Sequence, residues 1–151
     1  YVAKDSMEKA PILRIWMRLI HCLFLNRTDL KEGMKTILAG AGQIKNGISV
    51  FIFPEGTRSK MGNEMLEFKG GSFKAATKAK CPIVPVALID SFKPFDTNSI
   101  APVTVQVHFL KPLYYDDYKD MKTNDVAELV RSQIQKTIQE ATNVNKTDVS
   151  I

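Results

Sequence analysis

Hydrophobic positions along this chain switch repeatedly between a helical period and a strand period, and the switching predicts an alternating series of elements. In "APILRIWMRLIH", Ile12, Ile15, Trp16 and Leu19 share one helical stripe, Arg14 and Arg18 lie on another, and Pro11 suits a first turn. Such a stripe ordinarily packs into a core, and Trp16 with its apolar neighbours is assigned there. A basic, aromatic interfacial face built from Arg14, Trp16 and Arg18 is the alternative. "CLFLN" reads as a short strand ending at Asn26-Arg27. Asp29, with Glu32 three positions on, then caps a helix carrying Leu30, Met34, Ile37, Leu38, Ala41 and Ile44, which Gly47 stops.

"ISVFIF" is apolar at nearly every position, as expected of an interior strand covered on both faces. Gly70-Gly71 precede a short helix with Phe73, Ala76, Lys74, Lys78 and Lys80, and "PIVPVALI" reads as a second interior strand in which Pro85 removes one ladder donor. "VTVQVHFL" alternates Val103, Val105, Val107 and Phe109 with Thr104, Gln106 and His108, the pattern of a half-covered strand. "DVAELVRSQIQKTIQEA" places Val126, Leu129, Val130, Ile134 and Ile138 on one helical face, expected to pack on the sheet. The expected fold class is α/β, a single layered domain over residues 1–141 with a largely parallel or mixed central sheet flanked by helices, followed by a loose polar tail at 142–151.

Composition narrows the functional classes. The 151 residues, 44% of them hydrophobic, are enough for one real core. Twenty-one Lys and Arg against sixteen Asp and Glu leave a charge of +5, which favours anionic partners: phosphorylated metabolites, an anionic membrane surface or nucleic acid. No aromatic-basic stacking platform or reader helix accompanies the charge, so no nucleic-acid partner is expected. Cys22 and Cys81 lie far apart in apolar stretches without metal-ligand spacing, which predicts free thiols and no metal site. "ILRIWMRLIHCLFL" is too short and too charged to cross a membrane.

Candidate chemistry concentrates at "VFIFPEGTRSK", residues 50–60, where an apolar run ends in a proline, an acid, a glycine, a hydroxyl and a base. The ends of strands in α/β sheets are where binding side chains converge. Gly56 admits close backbone approach, Arg58 offers a planar fork matched to phosphate oxygens, and Glu55 is placed to hold the arginine or to accept from a substrate hydroxyl. A charge-assisted contact of this kind is worth roughly 1.5 to 3 kcal/mol where water is largely excluded. Spacing alone favours a solvated Glu-Arg turn.

"FPEGTRS", Phe53 to Ser59, resembles the third sequence block of the glycerolipid acyltransferases, of the 1-acylglycerol-3-phosphate acyltransferase type, at every position. "LFLNR" at 23–27 resembles the second block, with Asn26 where an acid is commoner. "EFKGGSFKAA" at 67–76 and "IVPVALI" at 83–89 resemble the segments that follow, so the likeness runs from about residue 1 to residue 140. The family's N-H-x-x-x-x-D block, whose histidine acts as general base, is not in this sequence. His21 to Asn26 matches its spacing but ends in an amide, and His21 is expected to be a structural helix-end residue. His108 is expected on a strand's polar side. The opening stretch resembles the segment just downstream of the missing block, which implies that the block lies upstream and that the N-terminal part of a glycerol-3-phosphate acyltransferase-like fold is missing.

The resemblance implies acyl transfer from acyl-CoA or acyl-carrier protein to the free hydroxyl of lysophosphatidic acid or a related lysophospholipid, giving phosphatidic acid, with no metal or bound cofactor. It implies that Arg27, Arg58 and Lys69 form a basic cluster for the acceptor phosphate, that Glu55, Gly56, Thr57 and Ser59 shape the acceptor site, and that Gly70 and Gly71 offer backbone donors. It implies no catalytic residue within this chain and a place on the cytoplasmic face of a membrane, peripheral or held by an N-terminal anchor. A non-catalytic phosphate- or phospholipid-binding relative that lost the base is the competing expectation.

Overall fold

The computed structural model describes residues 1–25, 29–96 and 100–147. Strand β1 (Val2–Lys4) leads through a 3-10 turn into helix α1 (Pro11–Leu19), then β2 (Leu23–Leu25) and helix α2 (Leu30–Lys45). β1 and β2 are parallel, with Val2 opposite Leu23 and Lys4 opposite Leu25. Asp29 caps α2 as expected, its Oδ1 accepting from the backbone N–H of Lys31 at 2.8 Å and of Glu32 at 3.1 Å. Gly47 ends it with φ +80°, the left-handed turn that favours glycine. Within α2, Gly40 allows close packing: a Cβ there would meet Leu23, Ala75 and Val50 at 3.5 to 3.8 Å.

The stretch 48–53 departs from expectation. It forms no strand ladder and lies beside β1 through the bond from Val2 N–H to the Phe51 carbonyl at 3.1 Å. β1 is three residues long and already pairs with β2, so it offers little edge for a further ladder. Nor is the stretch covered on both faces: Ser49 and Phe53 are exposed and the rest is half-buried.

The second half holds the principal core. Helix α3 (Lys74–Ala79), strand β3 (Val86–Ile89), the short helix α4 (Lys93–Asp96), strand β4 (Gln106–Phe109), the short helix α5 (Tyr115–Tyr118) and the long helix α6 (Thr123–Thr147) complete the order. "PIVPVALI" is a strand only from Val86 onward. Before it stands a lone bridge between Ile83 and Leu113, and Pro85, which has no N–H to give, accepts through its carbonyl from Leu110. Val126, Val130, Ile134 and Ile138 of α6 are buried against Phe73, Ala87, Ile89 and Tyr118, as the helical face predicts. Helix α6 also runs through Thr147, so residues 142–147 are helical where a loose tail was expected. The described sheet consists of two separate pairs, β1–β2 parallel and β3–β4 antiparallel, giving a mixed α/β architecture without one continuous sheet.

Strand β4 reverses the expected facing. Register sets His108 opposite Ala87 and Gln106 opposite Ile89, and both β3 partners are fully buried on the side of α6. The polar residues therefore share the helix-covered face, His108 Nε2 meeting Gln106 Oε1 at 3.0 Å. Val107 and Phe109 lie on the open face, 52% and 74% exposed.

Candidate functional site

The stretch 48–53 delivers the chain into a tight turn. Gly56 N–H donates to the Phe53 carbonyl at 3.1 Å, which places Pro54 and Glu55 at the two central positions of a β-turn. Gly56 follows with φ +72°, and the Lys69 side chain lies against it: a Cβ on Gly56 would sit 2.9 Å from Lys69 Nζ. Glycine thus serves both the backbone conformation and the approach of the ammonium.

Two hydrogen bonds close the loop that separates the turn from Lys69. Lys69 N–H donates to the Pro54 carbonyl at 2.9 Å, and Leu66 N–H donates to Glu55 Oε2 at 2.8 Å. The expectation that Glu55 holds Arg58 gives way here, because Glu55 secures the returning strand of the loop. Arg58 instead reaches Asp96 at the end of α4, NH1 to Oδ1 at 3.3 Å, with the arginine side chain 68% exposed. The pair lies in water, so its hold on Arg58 is weak.

The far side of the loop is fastened to the end of β3. Asn63 Nδ2 donates to Asp90 Oδ1 at 3.0 Å, Asp90 N–H donates to Asn63 Oδ1 at 2.8 Å, and Lys93 Nζ donates to Asp90 Oδ2 at 2.8 Å. Burial alone would raise the Asp90 carboxyl, but the hydrogen bonds from Lys93 and Asn63 and the lysine's charge outweigh it and hold the carboxyl below its ordinary range. Asp90 itself has φ +61°, a left-handed conformation that aspartate tolerates better than most side chains. Gly62 has φ +64°, and a Cβ there would meet the Phe92 ring at 3.4 Å.

Of the expected site residues, Glu55, Gly56 and Lys69 come together, with Thr57 exposed beside them. Ser59 Oγ accepts from Met61 N–H at 3.2 Å and so shapes the loop. Arg27 lies outside the described residues. Gly70 is buried under Asn124 at the start of α6, whose Oδ1 occupies the space a Cβ would need, so its lack of a side chain serves packing. At Gly71 there is no such clash: a Cβ would meet Met34 Cε at an ordinary 3.8 Å. Asp96, Asn63, Asp90 and Lys93 were not singled out by sequence. A polar residue directly after a strand, as Asp90 is, was the available signal.

Beside the turn, an apolar groove of about 370 Å³ runs between α1 and β1, lined among others by Leu13, Met17, Ile20, Cys22 and Val2, and reaches Phe53. Neither thiol is primed to act as a nucleophile. Burial pushes Cys22 up against an opposing hydrogen bond from the Ala3 backbone, and burial likewise pushes Cys81 up. His21 closes α1 in a left-handed conformation, its N–H donating to the Arg18 carbonyl, in keeping with a helix-end residue. Among the described residues no group of His, Cys, Asp or Glu is arranged to hold a metal ion, and no helix is long and apolar enough to cross a membrane.

Residues 1–89 match the family model described as Acyltransferase. This chain belongs to the acyltransferase family. The matched span includes the turn, the loop and β3, so the acyltransferase segment holds the candidate site except Asp90, Lys93 and Asp96, which follow it. A 1-acyl-sn-glycerol-3-phosphate acyltransferase of Saccharomyces cerevisiae is 33% identical over 147 residues, covering 91% of this chain and 47% of that protein. The corresponding protein of Salmonella typhimurium is 31% identical over 140 residues, covering 92% of this chain and 57% of its own. The crystal structure of the 1-acyl-sn-glycerophosphate (LPA) acyltransferase PlsC from Thermotoga maritima superposes with a TM-score of 0.77 at 22% identity, over 93% of this chain and 56% of that one, and shows a shared fold. The chain spans about half the length of the curated relatives it matches.

Proposed function

We propose that this chain supplies the acceptor-binding half of an enzyme that moves a fatty acyl group from acyl-CoA or acyl-carrier protein to the free hydroxyl of 1-acylglycerol 3-phosphate, making phosphatidic acid. The observation that carries the reading is the turn itself: within a family member, Lys69 leans over Gly56 while Arg58, two positions on, stands largely in water. Two cations at one fixed turn suit a phosphate monoester, the lysine as a point charge and the arginine as a fork. The names of the relatives support this acceptor class.

In the reaction the acceptor hydroxyl adds to the thioester carbonyl, the C–O ester bond forms, the C–S bond breaks, and the hydroxyl proton passes to a base while the thiol leaves. The residues described here bind and orient the acceptor. Neither histidine is placed as the base: His21 ends a helix and His108 is engaged by Gln106 on β4. Membrane association, peripheral and at the cytoplasmic face, accompanies a substrate that resides in a bilayer.

The test is an acyltransferase assay on the full-length protein with lysophosphatidic acid and an acyl thioester. Activity is expected, and Arg58→Ala is expected to raise the apparent KM for the phosphorylated acceptor about tenfold or more with a smaller change in kcat. A full-length protein that binds lysophosphatidic acid without turnover would instead identify a non-catalytic relative, and an unchanged KM would remove Arg58 from the phosphate site.

A further inference from the structure

Asp90 holds a left-handed conformation that glycine adopts most easily, with φ +61°, directly after the fully buried Ile89 of the principal core. Both of its carboxylate oxygens are engaged. Oδ1 accepts from Asn63 Nδ2 at 3.0 Å and Oδ2 from Lys93 Nζ at 2.8 Å, while the Asp90 N–H donates to Asn63 Oδ1 at 2.8 Å. The Asn63 amide therefore gives and receives at one residue. An aspartate at position 63 could not make this two-way bond, since it has no N–H to offer the carboxylate.

On the loop side, the bond carries Arg58. Among the described residues the backbone of 57–62 makes only local hydrogen bonds: Met61 N–H donates to Ser59 Oγ at 3.2 Å, and the Met61 carbonyl accepts from Glu64 N–H at 3.2 Å. The segment is held behind by the bond from Leu66 to Glu55 and ahead by Asn63. On the strand side, Lys93 N–H donates to the Asp90 carbonyl at 3.1 Å and opens α4, which ends at Asp96, the residue that Arg58 meets. Arg58 and its counter-ion thus both take their position from Asp90.

We propose that Asn63 and Asp90 are positioning residues for the acceptor turn: their two-way bond anchors the segment carrying Arg58 to the end of β3 and holds the guanidinium where it meets the acceptor phosphate. The role rests on the acceptor reading above. Neither residue touches the acceptor; both act through Arg58. The left-handed aspartate carries the inference, because a joint that only had to turn the chain is served best by glycine, whereas aspartate adds a carboxylate aimed at the loop.

Acyl transfer by the full-length protein is measured at saturating acyl thioester while lysophosphatidic acid is varied. Asn63→Ala and Asp90→Gly are each expected to raise the apparent acceptor KM about fivefold, as the loss of one anchoring hydrogen bond does, with kcat held within about twofold. Asp90→Asn keeps an acceptor for the Asn63 amide and is expected to stay within about twofold of the original KM. Asp90→Gly also suits the left-handed backbone, so its melting temperature is expected to hold while its KM rises, which separates positioning from folding. In an Arg58→Ala background, Asn63→Ala is expected to change KM by no more than about twofold, because the group it positions is gone. An Asn63→Ala variant with unchanged KM overturns the proposal, as does one that raises KM equally with and without Arg58, and either result leaves the acceptor reading standing if Arg58→Ala alone raises KM. An Arg58→Ala variant without any effect on KM removes the acceptor reading and this role together.

Discussion

Helices α1 and α6 carry the same kind of pattern and meet opposite fates. Both place apolar residues on one stripe, branched in α6 and joined by Trp16 in α1, and charged residues on another. In α6 the stripe from Val126 to Ile138 lies under β3, Phe73 and Tyr118, with Val126 fully buried. In α1 the stripe from Ile12 to Leu19 faces outward. The difference teaches that amphipathicity reports a surface to be covered and leaves the cover open. For α6 the cover is the sheet of the same chain; for α1 no cover stands among the described residues.

The contrast is broken most directly by placing one charge on each stripe. Val126→Asp is expected to cost about 4 kcal/mol or more and to abolish cooperative unfolding at ordinary temperature, because a carboxylate is buried without a partner. Ile12→Asp is expected to stay within about 0.5 kcal/mol. Urea titrations of the two variants check the pair, and comparable losses would mean that α1 is packed.

A smaller effect sharpens the buried side. The Tyr118 hydroxyl donates to the Cys81 carbonyl beneath α6, and burial, then the neighbouring Cys81 and Tyr115, push its pKa from the ordinary 10.0 up to about 12. The fold thus favours the neutral phenol. That stabilisation is complete below pH 10 and is lost as the pH rises through about 12, since the unfolded chain releases its proton first. The loss is about 2 to 3 kcal/mol between those limits. Unfolding followed against pH should show it, and Tyr118→Phe should remove most of the alkaline dependence while costing about 1 to 3 kcal/mol at neutral pH through the unpaired carbonyl.

At the turn, Gly56→Ala is expected to cost about 1 to 2 kcal/mol. The positive φ carries most of that cost, since the lysine end that a Cβ would meet can swing aside. The smallest effect concerns Asp96. Asp96→Ala should leave thermal stability within about 0.5 kcal/mol, as an exposed ion pair does, yet lower the apparent acceptor KM of the full-length enzyme by releasing Arg58. A KM that does not fall would mean that Asp96 does not compete for the arginine.

What could be read from sequence follows the range of the interactions concerned. Helices were legible because their signals are local: the Asp29 cap, the Gly47 stop and the spacing of Val126, Val130 and Ile134 all act within a few residues. Stretch 48–53 was not, because a strand depends on a partner's edge, and β1 has three residues to offer. Alternation in β4 announced two different faces but not which one α6 would cover; register with Ala87 and Ile89 decided that. The site divides similarly. Gly56 and the cations near it stood out as residue types, and the block resemblance located them. The partnership of Arg58 with Asp96, and of Asn63 with Asp90, joins residues distant in sequence and left no periodic trace.

The closed mouth of the loop after the turn has a practical consequence for engineering. Because Pro54 and Lys69 are joined by their backbones, and Glu55 and Leu66 by a carboxylate, the ends of this segment stay together whatever its contour length. Closure entropy grows only logarithmically, about 0.6 kcal/mol for each doubling of a flexible loop. A fluorophore-bearing peptide spliced between Lys60 and Met61, both exposed, would therefore ride outside the two clasps, turning this segment into a reporter socket beside the turn that carries Arg58.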